Sequence, residues 1–213
     1  MSGASVMHTE LLTEPQKRIL PPLAEALVGT DYYLAGGTAL SLRIGHRPSV
    51  DFDWFTPQLG DPEGLLRRLN AFHIAFTVLS VSVETVYLSI EAVQVSFIGY
   101  AYPLLQSTVL WPQIGLQLAG TDDIACMKLS AVASRGARKD FIDLHCLITR
   151  FRSLEEYLGL YRKKYQQRDL GHVIRSLVYF ADAEVEPEIE TNPPLAWETL
   201  KRDIETWVVR LRL

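Results

Sequence analysis

The chain has 213 residues, 48% hydrophobic and 22% charged, an ordinary globular composition with room for one large domain or two small ones. Its formal net charge of −4 excludes broad non-specific attraction to nucleic acid, so a nucleic-acid substrate would need a local basic patch. Met1-Ser2-Gly3-Ala4-Ser5 has no signal-peptide pattern, no apolar run is long enough to cross a bilayer, and Cys126 and Cys146 lack metal-like spacing, so a cytoplasmic protein with reduced thiols and no membrane partner is expected.

The pattern from about Glu14 to Leu27 is helical, but Pro21-Pro22 interrupts it and predicts a kink or two short helices. Asp31 to Ala35 reads as a strand, Thr38 to Ile44 as a short helix with Gly45-His46-Arg47-Pro48 as its exit loop, and Val50 to Phe55 as a second strand. Asp61 and Pro62 fit the N-cap and first position of a helix running to about Leu69. Between residues 72 and 99 the period changes: Ile74, Phe76, Val78, Val81 and Val83 alternate with other residues, as do Val93, Val95 and Phe97, which predicts antiparallel strands. Tyr100 to Leu118 reads as irregular, broken by Pro103 and Pro112.

From Gly120 onward the chain turns helical. Thr121 or Asp122 can cap a helix to about Ser134, Gly136 separates it from one over about Lys139 to Thr149, and Ser153-Leu154-Glu155-Glu156 has capping-box form. Further helices are expected near Leu170 to Phe180 and Trp197 to Arg210, with a loop at Pro187, Pro193 and Pro194. Strands gather in the first half and helices in the second. The expected class is α+β: a mixed sheet with flanking helices in residues 1–118, then a helical region in 119–213.

Chemistry concentrates first in Tyr33-Leu34-Ala35-Gly36-Gly37-Thr38-Ala39-Leu40 and Ser49-Val50-Asp51-Phe52-Asp53-Trp54-Phe55. A strand enters a glycine pair that opens a helix, where free N–H groups can face an anion and Thr38 can add a hydroxyl. A lone glycine pair is more often only a tight turn. Asp51 and Asp53, two apart on a strand, project from one face with Phe52 on the other. Two such carboxylates repel unless a cation sits between them, and Mg²⁺ is held by one or two carboxylates plus substrate phosphates. Solvated surface aspartates would be the plain alternative, but Val50, Phe52, Trp54 and Phe55 make the strand apolar, and aspartate is depleted in strands. The pair together reads as a nucleotidyltransferase site. Arg47 either meets a phosphate, with His46 orienting it, or pairs with a surface carboxylate.

A second constellation runs from Asp122 to Leu144. Lys128, among Ile124, Met127, Leu129 and Val132, either snorkels outward or meets an anion. Arg135 falls seven residues later on nearly the same helix face, and Asp140 and Asp143 share a face of the next helix. A salt-bridge network between the helices is one reading and a place near the chemistry the other. Both hold in part: Arg135 and Asp143 are expected to be structural, as an inter-helix salt bridge would make them, and Lys128 and Asp140 to lie nearer the site.

On these residues the chain resembles the AbiEii/AbiGii toxin family of the polymerase-β-like nucleotidyltransferase superfamily. Leu34 to Leu40, Gly45-His46-Arg47 and Ser49 to Asp53 resemble its first motif region. Asp123 through Lys128 to Arg135, and Lys139 to Leu144, resemble its later motifs. The resemblance implies Mg²⁺-dependent transfer of a nucleotide from an NTP to an RNA, such as a tRNA 3′ end, or to a protein, by a toxin opposed by an antitoxin. It implies Gly36, Gly37, Thr38 and Arg47 around the triphosphate, Asp51 and Asp53 on metal, Lys128 on phosphate and Asp140 as the later catalytic carboxylate. One departure stands out: Ala92-Val93-Gln94-Val95-Ser96-Phe97 carries Ser96 where a third carboxylate is expected, and Glu91 faces the other way on a regular strand. Either Asp140 then supplies the general base or the site lacks one. The alternative is a non-catalytic nucleotide- or partner-binding module that keeps the fold.

Overall fold

The structure, a computed structural model, describes residues 7–211; the opening residues read for a leader lie outside them. The chain forms two compact units. One comprises the described residues through Pro103 together with Ser107–Ala119, the other Leu104–Gln106 and Gly120 onward.

The first unit is built on a mixed sheet of seven strands: β1 (Tyr33–Ala35), β2 (Phe52–Thr56), β3 (Thr77–Val81), β4 (Thr85–Ile90), β5 (Val93–Gly99), β6 (Val109–Trp111) and β7 (Leu116–Leu118). Their order is β3-β4-β5-β2-β1-β7-β6. The β3–β4 and β4–β5 pairs are antiparallel, as the alternation predicts, but β5 lies parallel to β2 with Asp53 opposite Ser96. The parallel partner follows from chain direction: two strands and a helix separate β2 from β5, a separation that alternation within each strand does not encode. The stretch expected to be irregular holds β6 and β7, and β7 lies parallel to β1. Three-residue strands between prolines carry too few alternations to be seen in sequence.

Helix α1 (Glu14–Leu27) is continuous through Pro21 and Pro22. Thr13 and Gln16 form a capping box at its start, and Ile19, Leu20, Leu23 and Ala24 around the prolines are buried, so packing outweighs the two missing amide donors. Helix α2 is Gly36–Ile44. In α3 (Pro62–Ala71) the Asp61 carboxylate accepts from the Glu63 and Gly64 amides at 3.0 and 2.9 Å, as read from Asp61-Pro62. Leu34, Leu40, Phe52, Trp54, Leu69, Leu88 and Phe97 are among the fully buried side chains of this unit.

In the second unit α4 (Thr121–Ser134) packs on α5 (Arg138–Arg150), α6 (Leu154–Tyr165) and α7 (Gly171–Leu177); α8 (Ala181–Glu184) and α9 (Trp197–Val209) meet α5. The Ser153/Glu156 capping box opens α6 as expected. The cap expected at Thr121 or Asp122 is not formed: Gly120 is the N-cap and contributes no side chain. Asp122 turns inward instead, where Arg152 Nε and Gln106 Nε2 each donate to it at 2.8 Å. Asp123, fully buried, accepts from Lys164 Nζ at 2.6 Å and from the Leu105 amide at 2.9 Å. Phe141, Phe180 and Trp197 form an aromatic cluster with the Arg138 guanidinium 4.6 Å from the Trp197 ring centre.

Candidate active site

In the sheet unit β1 delivers the chain directly into α2. Gly36 takes φ +66°, a left-handed conformation that costs any residue with a Cβ. A Cβ on Gly36 would also lie 2.5 Å from Asp53 Oδ2, so the missing side chain is what lets that carboxylate rest on the turn. At Gly37 a Cβ would lie 2.8 Å from Arg47 Nη2 and 2.9 Å from Ser49 Oγ. The pair is thus glycine because three polar groups from the following segment, Arg47, Ser49 and Asp53, close over it. The first-turn amides of α2 have no intrahelical acceptor, and the helix dipole places partial positive charge there.

Asp51 precedes β2 by one residue, rather than lying within the strand as expected, and Asp53 is its second residue. Burial alternates: Asp51 and Asp53 are half-buried, while Phe52 and Trp54 are fully buried. Thr38 is itself buried and its hydroxyl donates to the Asp51 carbonyl. The hydroxyl expected to meet phosphate therefore ties Asp51 to α2, and Thr38 offers an anion its first-turn amide. Arg47 is 3% exposed, so its guanidinium lies inside the loop and not on the surface. Its Nη1 donates to the Pro48 carbonyl at 2.8 Å, and the Ser41 hydroxyl donates to the Arg47 carbonyl. His46 is buried in the same loop. Ser49, which sequence reasoning passed over, is held by Gln16 Nε2 donating to its carbonyl at 2.9 Å.

The β2–β5 register sets Ser96 directly beside Asp53, and the Ser96 hydroxyl donates to Asp53 Oδ1 at 2.5 Å. Glu91 lies in the turn before β5 at φ +47° and accepts from Arg18 Nε at 2.7 Å. Among the described residues no cluster of three or more His, Cys, Asp or Glu side chains could hold a metal. The oxygens brought together are the Asp53 carboxylate and the Ser96 hydroxyl, with Asp51 two residues earlier on the same segment. This oxygen-only chemistry, with one carboxylate laid in the cradle that a Gly36 Cβ would fill, fits a hard cation that takes its remaining ligands from phosphate and water.

In the helical unit Lys128 Nζ stands 2.9 Å from Asp140 Oδ1 and 2.7 Å from Asp143 Oδ2, all three side chains being buried. Arg135 Nε donates to Asp140 Oδ2 at 2.7 Å and its Nη2 to Oδ1 at 2.9 Å. Lys128 thus meets anions rather than snorkelling, and Arg135 reaches Asp140. Burial alone would raise the Asp140 pKa, but hydrogen bonds and charge from Arg135 and Lys128 outweigh it and hold the carboxyl below its usual value of 3.8.

An acidic segment thus meets a glycine-opened helix on a mixed sheet, and solved nucleotidyltransferases share the fold. The nucleotidyltransferase toxin MenT4 (Rv2826c) of Mycobacterium tuberculosis H37Rv aligns with TM-score 0.59 at 15% identity, covering 93% of this chain and 86% of its own. JHP933 of Helicobacter pylori gives TM-score 0.59 at 18% identity over 93% and 92%. In sequence, the uncharacterized protein aq_aa25 of Aquifex aeolicus (strain VF5) is 36% identical over 208 residues, 92% of this chain and 98% of that one. The class is that of the nucleotidyltransferase enzymes. Within it, the chain belongs to the family described as nucleotidyl transferase AbiEii toxin, type IV TA system, whose sequence model matches residues 18–207. No helix among the described residues is long and apolar enough to cross a membrane.

Proposed function

We propose that the protein moves a nucleotidyl group from an NTP to an acceptor hydroxyl in a Mg²⁺-dependent reaction. The acceptor in this reading is an RNA, such as a tRNA 3′ end, or a protein, and a cognate antitoxin opposes the activity in the cytoplasm. The observation that carries the reading is the Asp53 carboxylate resting on Gly36 at the start of α2, which sets acidic ligands beside amides suited to phosphate. Such a transfer needs mainly positioning and charge neutralisation. Mg²⁺, when bound, would supply neutralisation of the triphosphate oxygens. Asp51 and Asp53 would hold it. Amides of Gly36, Gly37 and Thr38 would orient the phosphates, and Arg47, packed beside Gly37, would add a fixed positive charge to the same turn. Lys128 as a phosphate contact and Asp140 as a catalytic carboxylate rest on the resemblance of the later motifs. Within its own unit Asp140 orients the Lys128 ammonium. The cytoplasmic assignment is supported by two free cysteines.

The test is incubation with each labelled NTP, Mg²⁺ and bulk RNA or protein. Transfer of label by the parent chain and its loss in Asp51→Asn and Asp53→Asn, with unchanged circular dichroism, is the expected result. Full transfer in either variant would end this mechanism. Ser96 in place of a third acid favours one second reading, a module that binds nucleotide without turnover; nucleotide binding with no label in any mixture would select it.

A further inference from the structure

We propose that Ser96 is a positioning residue that holds Asp53 and, as a neutral group where an acid would fit, leaves the cation site incomplete until nucleotide arrives. The inference rests on the metal reading above. Ser96 is 2% exposed, lies in register with Asp53 on the neighbouring parallel strand, and donates to Asp53 Oδ1 at 2.5 Å. The Phe52 carbonyl stands farther off, at 3.5 Å, so the hydroxyl proton belongs to the carboxylate. Ser96 engages Oδ1, and Oδ2 lies in the space that a Gly36 Cβ would occupy, so the hydroxyl sets the orientation in which the Asp53 carboxylate faces the glycine turn. That orientation is a benefit to any cation it ligates.

The same substitution has a charge consequence. An aspartate at position 96 would place a third negative side chain against Asp53, whereas serine keeps the protein's contribution at two. Affinity for hard cations is tuned by the number of charged ligands. Two carboxylates leave most positions to water, and triphosphate oxygens are the anionic ligands able to take them. The cation is therefore captured jointly with the nucleotide instead of being stored in the free protein.

The experiment measures Mn²⁺ binding to the full chain by electron paramagnetic resonance, alone and with each α,β-methylene nucleoside triphosphate, against nucleotide-only controls. The expected result is weak binding of Mn²⁺ alone and at least about tenfold tighter protein-bound Mn²⁺ with a nucleotide analogue. Ser96→Asp binds Mn²⁺ alone about tenfold or more tightly than the parent. Ser96→Ala loses about tenfold in Mn²⁺ affinity in the nucleotide mixture with an unchanged melting profile. Ser96→Thr, which keeps the hydroxyl, restores it. Equal Mn²⁺ affinity with and without analogue, or affinity indifferent to position 96, overturns the proposal and leaves the metal reading standing. No protein-bound Mn²⁺ in any arm overturns both.

Discussion

Substituting Gly36 by alanine separates the geometry of the turn from its stability. Alanine at φ +66° costs about 1–2 kcal/mol in backbone conformation, which lowers the melting temperature by roughly 2–8 °C in a chain of this size. The new methyl would also stand 2.5 Å from Asp53 Oδ2, whereas ordinary contact begins at 3.4 Å, so the carboxylate must retreat by about 0.9 Å. Displacement of a catalytic group by about 1 Å costs on the order of 100-fold in rate. Gly60→Ala is the control: Gly60 also has positive φ, +72°, but a Cβ there would meet nothing within 4 Å. Both variants should melt lower by similar amounts, and only Gly36→Ala should lose label transfer and Mn²⁺ affinity. Parent-level transfer by Gly36→Ala, or equal losses in the two, would refute the placement of Asp53 on the glycine turn.

Further outcomes concern the helical unit. Asp140→Ala strips the buried Lys128 of one carboxylate while Asp143 remains, and should destabilise the chain by about 1–3 kcal/mol, read by urea denaturation. Because the folded Asp140 pKa lies below 3.8, its contribution is present above that pH and lost as pH falls through the folded value. Acid unfolding of the parent should therefore steepen below about pH 4, and Asp140→Asn should flatten that slope. Burial pushes the Cys126 thiol up to about 12 and Cys146 to about 11, so at pH 8 both should react slowly with Ellman's reagent until urea unfolds the chain. Lys164→Met leaves Asp123 buried with backbone amides as partners and should cost about 3 kcal/mol or more in the same urea assay.

Local signals were legible wherever the chemistry sits within one turn of chain. Asp61-Pro62 and Ser153-Glu156 announce helix starts because the capping group and its amides are neighbours. The Gly36 turn stands out because glycine opening a helix contradicts local preference, and Asp53 because an acid in an apolar strand does. What escaped depends on distant chain. Asp122 looks like a cap, but Gln106 and Arg152 draw it inward. Lys164 sits in the basic run Arg162-Lys163-Lys164 and drew no expectation, yet Leu154, Tyr157, Leu158 and Tyr161 trace a helical stripe that continues through position 164. The stripe was the available signal, and only Asp123, 41 residues away, makes it a buried charge. The prolines of α1 misled because their cost is local while the burial that overrides it is tertiary.

The short segment Leu104–Gln106 has a practical consequence for anyone dissecting this protein. The backbone leaves the sheet unit, donates two amides to Asp123, then returns to build β6 and β7 before the helices begin. A break after Pro103 would strip two strands from the sheet, and a break after Ala119 would take those amides from Asp123. No single scission frees both halves whole, so fragments made at either point should fold poorly even where the full-length polypeptide is robust.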